Sequence, residues 1–193
     1  MKKFFGALVI ALLAIGANAQ TFEKGSSIVS AQLGVGGGFG QRIAYEYSLM
    51  NLLDGKAAIG VGGSLNNRFK TDSHKDKFGK WKTVEDWFTV TVNASFHYEF
   101  IDKLDTYVTL GIGGGVDAAK TKYKMSSDGK KEYKELYGEE PEVQSASASA
   151  SQGIFGWVSS LGARYYFTNN WAANVELGWT GAGYITLGAT YKF

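Results

Sequence analysis

The stretch Phe88–Phe100, "FTVTVNASFHYEF", alternates without a break. Phe88, Val90, Val92, Ala94, Phe96, Tyr98 and Phe100 take every second position, and Thr89, Thr91, Asn93, Ser95, His97 and Glu99 fill the gaps. Successive side chains of a β-strand point to opposite faces, so these residues make a strand with one apolar and one polar face. The polar set decides which face looks outward. A strand facing water carries charge, whereas Thr, Asn and Ser are small and neutral and suit a narrow interior. The apolar face is therefore expected on the outside, the arrangement of a membrane barrel rather than of a soluble one.

The same period recurs along the chain and predicts eight strands, at about 27 to 36, 41 to 49, 57 to 66, 87 to 100, 106 to 118, 153 to 167, 171 to 180 and 184 to 193. The connections 50 to 56, 101 to 105 and 168 to 170 are short, while 67 to 86 and 119 to 152 are long and polar. Pro141, the single proline, falls in the longest connection, where no ladder hydrogen bond is lost. Aromatic residues should gather at both membrane interfaces. Tyr47, Tyr98, Phe100, Tyr165, Phe167, Trp171, Tyr191 and Phe193 fall near the short-turn end, and Phe88, Phe155, Trp157 and Trp179 near the long-loop end. The expected fold is all-β, an eight-stranded antiparallel up-and-down transmembrane β-barrel with both termini on the periplasmic side.

Residues 1–19, "MKKFFGALVIALLAIGANA", have the lysines, apolar run and small residues of a signal peptide, leaving residues 20–193 as the barrel domain. Of 20 basic and 18 acidic residues, Lys2 and Lys3 leave with that segment, so the mature chain is balanced and gives no reason to expect nucleic acid as a partner. Without cysteine there is no disulfide framework and no thiolate metal site; no metal and no cofactor is expected. "LGVGGGFG" and "LGIGGGV" lack the spacing of a nucleotide-binding loop, and inner-face glycines that make room in a narrow lumen explain them better.

The chain ends on "ITLGATYKF", with Ile185, Leu187, Ala189, Tyr191 and Phe193 on one face. A terminus of this kind closes a barrel by pairing with the strand that starts at Ser27. Here the sequence resembles the small eight-stranded outer-membrane barrels of Gram-negative bacteria, of the outer membrane protein A transmembrane-domain and outer membrane protein X type. Its Gly- and Tyr-rich style is also similar to outer-membrane β-barrel proteins of Bacteroidetes. The resemblance implies a bacterial outer-membrane location, contact with outer-membrane lipid, and a terminal signal, Tyr191 and Phe193, read by the barrel-assembly machinery. It also implies a non-enzymatic structural or surface-interaction protein.

Charged residues at inward positions are Arg42, Glu46, His97, Glu99, Asp117, Arg164, Glu176 and Lys192. Unpaired charge in low dielectric is costly, so they are expected to pair across the lumen, with Glu99, Arg164, Glu176 and Lys192 at the centre of the network. Such a network is a polar plug, or, in the alternative reading, the lining of a narrow porin-type channel. A lipid A-modifying enzyme is a third reading, resting on His97 beside Ser95 and Glu99. In "KTKYKM", Lys120, Lys122 and Lys124 continue the outward row of the fifth strand, and "SASASAS" (145–151) keeps the period of a returning strand. The lysines are candidates for contact with lipopolysaccharide, and the hairpin 119–152 for a protein partner. Its tip, "DGKKEYKELYGEEPE", mixes both signs of charge and reads as a mobile segment.

Overall fold

The computed structural model describes residues 22–193; the signal-peptide assignment lies outside the described residues. Eight antiparallel strands close into a ring in sequence order: β1 (Ser27–Val35), β2 (Phe39–Leu52), β3 (Ala57–Lys75), β4 (Gly79–Ile101), β5 (Leu104–Met125), β6 (Ser145–Tyr166), β7 (Trp171–Trp179) and β8 (Ile185–Lys192). β1 and β8 complete the ring from Ile28 opposite Lys192 to Val35 opposite Ile185. Phe193 is held beyond that ladder: its N–H donates to Ser27 O at 3.0 Å, and Ser27 N–H donates to Phe193 O at 3.2 Å.

The two faces sort by chemistry. Along β4 every inward residue from Thr89 to His97 is buried, while Val92 on the outer face is 71 % exposed. Leu33, Ile43, Leu110, Ile112 and Phe155 are likewise exposed around the ring. A water-soluble monomer rarely shows a continuous apolar surface of this extent. The aromatic pairs Trp171–Tyr191 and Tyr98–Phe100 lie at the short-turn end, their ring centroids 4.9 Å and 4.7 Å apart.

Two sequence-based boundaries are corrected. Residues 67 to 86 are not a loop: β3 and β4 run on to Lys75 and Gly79, joined by the tight turn Asp76–Phe78. Alternation of apolar residues ends at Phe69 and Phe88, but the ladder does not; above that level the outward positions are Thr71, Ser73 and Lys75. The tip of the 119–152 hairpin is not without regular structure either: Ser127–Tyr137 forms a helix, α1. Ser126 caps it by accepting from Gly129 N–H at 2.9 Å, and Gly138, with φ of 76°, ends it in the left-handed conformation glycine tolerates best. The helix is tied to the β3–β4 turn through the Phe78–Tyr133 ring contact and the Lys77–Glu132 ion pair at 2.7 Å.

β5 and β6 pair to the top of the hairpin, with Lys124 opposite Ser145 and Ala119 opposite Ala150. Their neighbours stop lower: β2 leaves β3 at Phe69, and β7 leaves β6 at Ser159. β3 to β6 therefore stand above the ring as a four-stranded sheet with two open edges.

Candidate functional site

Inside the ring, five of the eight charged residues proposed from sequence meet in one buried cluster, joined by Asp105, Gln32 and Tyr107. It has two halves. In the first, the Glu176 carboxylate accepts from Arg42 Nη1 at 2.8 Å and 2.9 Å, Gln32 Nε2 at 2.8 Å, Ser160 Oγ at 2.9 Å and Tyr107 Oη at 3.0 Å. Arg42 Nη1 also donates to Gln32 Oε1 at 2.9 Å.

The second half is built around His97. Its Nε2 stands 2.8 Å from Glu46 Oε1, and its Nδ1 stands 2.9 Å and 3.0 Å from the two Asp105 oxygens. Carboxylates only accept, so a ring with both nitrogens against them fits an imidazolium, which donates from both. Arg164 Nη1 donates to the other side of Asp105 at 2.8 Å, and Arg164 Nη2 lies 3.7 Å from Glu46. Tyr107 links the halves: its ring stacks on His97 at 5.2 Å and lies 4.4 Å under the Arg164 guanidinium. With His97 charged, Arg42, Arg164 and His97 balance Glu46, Asp105 and Glu176. That balance is what permits six charges in a space where each alone would be very costly.

The backbone makes room for these groups. A Cβ at Gly162 would stand 2.3 Å from Tyr107 Cζ, and one at Gly60 would stand 2.3 Å from Glu46 Oε1. The cavity remaining between Arg42, Glu46, Arg164 and Glu176 is about 20 Å³, room for about one water. Residues from outside the strands fold in at both ends. At the short-turn end the Phe22 ring packs on His97 at 4.4 Å. At the other end the β7–β8 turn folds inward, with Thr180 and Ala182 wholly buried. Gly40 is required there, since a Cβ on it would come within 1.9 Å of Ala182 O.

The remaining sequence candidates sit around this cluster or away from it. Asp117 is not part of this cluster: it sits half-buried at the long-loop end, accepting from Gln152 at 3.4 Å. Glu99 and Lys192 are half-buried at the short-turn end, Lys192 Nζ 5.0 Å from the Tyr166 ring. Ser95 donates to or accepts from Thr109 at 2.9 Å and is not paired with His97. Lys120, Lys122 and Lys124 are exposed on the outer face of β5.

Among the described residues no cluster of metal-binding side chains is present. No family model matches the chain, and no curated protein matches it. Among solved structures it is similar to Ail, the attachment invasion locus protein of Yersinia pestis, with 18% identity over 88% of this chain and 99% of that one and a TM-score of 0.42. It is also similar to Ail in complex with the heparin analogue sucrose octasulfate, with 18% identity over 87% of this chain and 96% of that one and a TM-score of 0.37. Likeness at this level carries no functional argument.

Proposed function

We propose that the protein is a non-enzymatic outer-membrane barrel whose lumen is a structural plug and whose work is done outside, by the protruding sheet. The exposed apolar belt supports placement in a bilayer, which only closed barrels and helices can cross without stranding backbone polar groups. On this reading Tyr191 and Phe193 serve the barrel-assembly machinery, and Lys120, Lys122 and Lys124 face the lipopolysaccharide layer. The lumen readings lose ground to the geometry: a charge-balanced, nearly filled interior favours a plug over a diffusion channel. His97, with both nitrogens engaged by carboxylates, offers no free base for lipid modification.

The observation that carries the proposal is the open edge of β6. Met125 N–H donates to Gln144 O and Tyr166 N–H to Lys103 O, so even-numbered residues of β6 face β5. Ser145, Ser147, Ser149 and Ser151 then turn their backbone N–H and C=O to the side that β7 has left. Natural edge strands are guarded by charge, proline or a bulge. The β3 edge is guarded by Lys70, Asp72 and Lys75; the β6 edge from Ser145 to Gln152 carries neither charge nor proline. Such an edge accepts an extended segment of a protein partner by strand addition.

A labelled extended peptide of alternating Thr and Val is the probe. It should bind the full chain, and the double variant Ser147→Pro, Ser149→Pro, which removes outward donors without touching the β5 ladder, should lose that binding. Equal binding by the two proteins would defeat the proposal.

A further inference from the structure

The outward face of the protruding sheet carries a second feature. Cross-strand pairing aligns it in rows from β3 to β6. The first row above the aromatic level is Phe69, Asp86, Ala118 and Ser151, and the next is Thr71, Val84, Lys120 and Ser149. Above these, Lys82 stands opposite Lys122, and Lys80 opposite both Lys124 and Lys75. Asp86, the one acid in these rows, is engaged by the Asn67 side-chain amide. None of the six lysines forms an ion pair among the described residues. Like charges directly opposite on a sheet are destabilising, so a face that stacks them is suited to a multivalent anion.

The shape below the lysines narrows the choice. A shallow, open groove of about 370 Å³ is lined by Val84, Asp86, Ala118 and Ser149, with Lys120 on its upper rim. Lower on the same face, within the apolar belt, a depression of about 700 Å³ runs along Val61, Val92, Leu110 and Ile112, with Phe155 at its upper lip. We infer that this flank is a docking site for a phosphorylated, acylated glycolipid of the outer leaflet. Its phosphates meet Lys82, Lys120 and Lys122, its sugar headgroup lies in the groove floored by Ala118, and an acyl chain lies in the depression below. A soluble polyanion would use the lysines but have no need of either groove. The inference rests on the outer-membrane reading and does not require a strand added at the β6 edge.

The test is native mass spectrometry of the full chain in detergent, titrated with bis-phosphorylated lipid A and, separately, with inositol hexakisphosphate. One saturating lipid A adduct is expected, weakened about tenfold or more in the Lys82→Glu, Lys122→Glu double variant, which keeps a like-charge pair in place. Ala118→Trp, which fills the headgroup groove, should weaken lipid A and leave inositol hexakisphosphate unaffected. Absence of lipid A binding, wild-type affinity in both variants, or an inositol hexakisphosphate affinity equal to that of lipid A and indifferent to Ala118→Trp would each overturn the site. Insertion into vesicles, followed by heat-modifiable gel mobility, is scored on the same samples. Lost glycolipid binding with intact insertion therefore counts against this site and not against the membrane barrel.

Discussion

Asp105 is the residue on which the lumen cluster turns, since among the described residues it alone touches both His97 and Arg164 at hydrogen-bond distance. Removing one member of a buried ionic cluster strands the others without solvent, at a cost of about 3–5 kcal/mol. Asp105→Ala should therefore lower unfolding stability in urea, measured in lipid vesicles, by about that amount. Asp117→Ala, at a half-exposed site with a single long hydrogen bond, should change it by about 0.5 kcal/mol or less. Equal effects would mean that burial does not set the cost. Arg42, Glu46, His97, Arg164 and Glu176 were legible in the sequence because strand parity points each of them inward. Asp105 was not, because it closes the turn "IDKLD", just before the alternation of the fifth strand begins at residue 106. Asp117 also has inward parity, yet it lies too far up its strand to reach the cluster, a distance that alternation does not measure. The chain terminus was legible too: with Phe193 bonded to Ser27 in both directions, its deletion should slow barrel insertion, followed as the heat-modifiable fraction over time.

At the scale of elements, the apolar code ran out before the strands did. Residues above the apolar belt keep their pairing while their outward side chains change to Thr, Ser and Lys, so the tops of β3 to β6 lack the pattern that reveals the lower halves. α1 was hidden for another reason: its helix depends on a cap at Ser126 and on docking against Phe78, neither of which shows as periodicity. The β3–β4 turn offers a pH test. The Trp81 indole N–H and the backbone N–H groups of Gly79 and Phe78 donate to Asp76, holding its carboxyl below the usual carboxylate range. A carboxyl depressed in this way stabilises the turn above its unfolded value, and that contribution is lost as pH falls through the lowered one. The Trp81 indole N–H resonance should shift over that acid range in the parent protein and stay flat in Asp76→Ala. The inward β7–β8 turn is equally specific in its demands: Gly40→Ala should expel Ala182 and expose the turn to protease. An unchanged digestion pattern would contradict the packing at Gly40.

For the whole molecule, polarity is inverted relative to a soluble protein. Apolar residues face out, a balanced set of charges fills the axis, and four strands rise beyond the ring. The central claim is that the axis is closed and function lies on the protruding sheet. Planar-bilayer conductance of the reconstituted protein, with insertion verified by gel mobility, tests this most directly. A silent, correctly folded barrel is the expected result; steady openings altered by Glu176→Gln or Arg164→Met would show that the charges line a water path and would contradict the account.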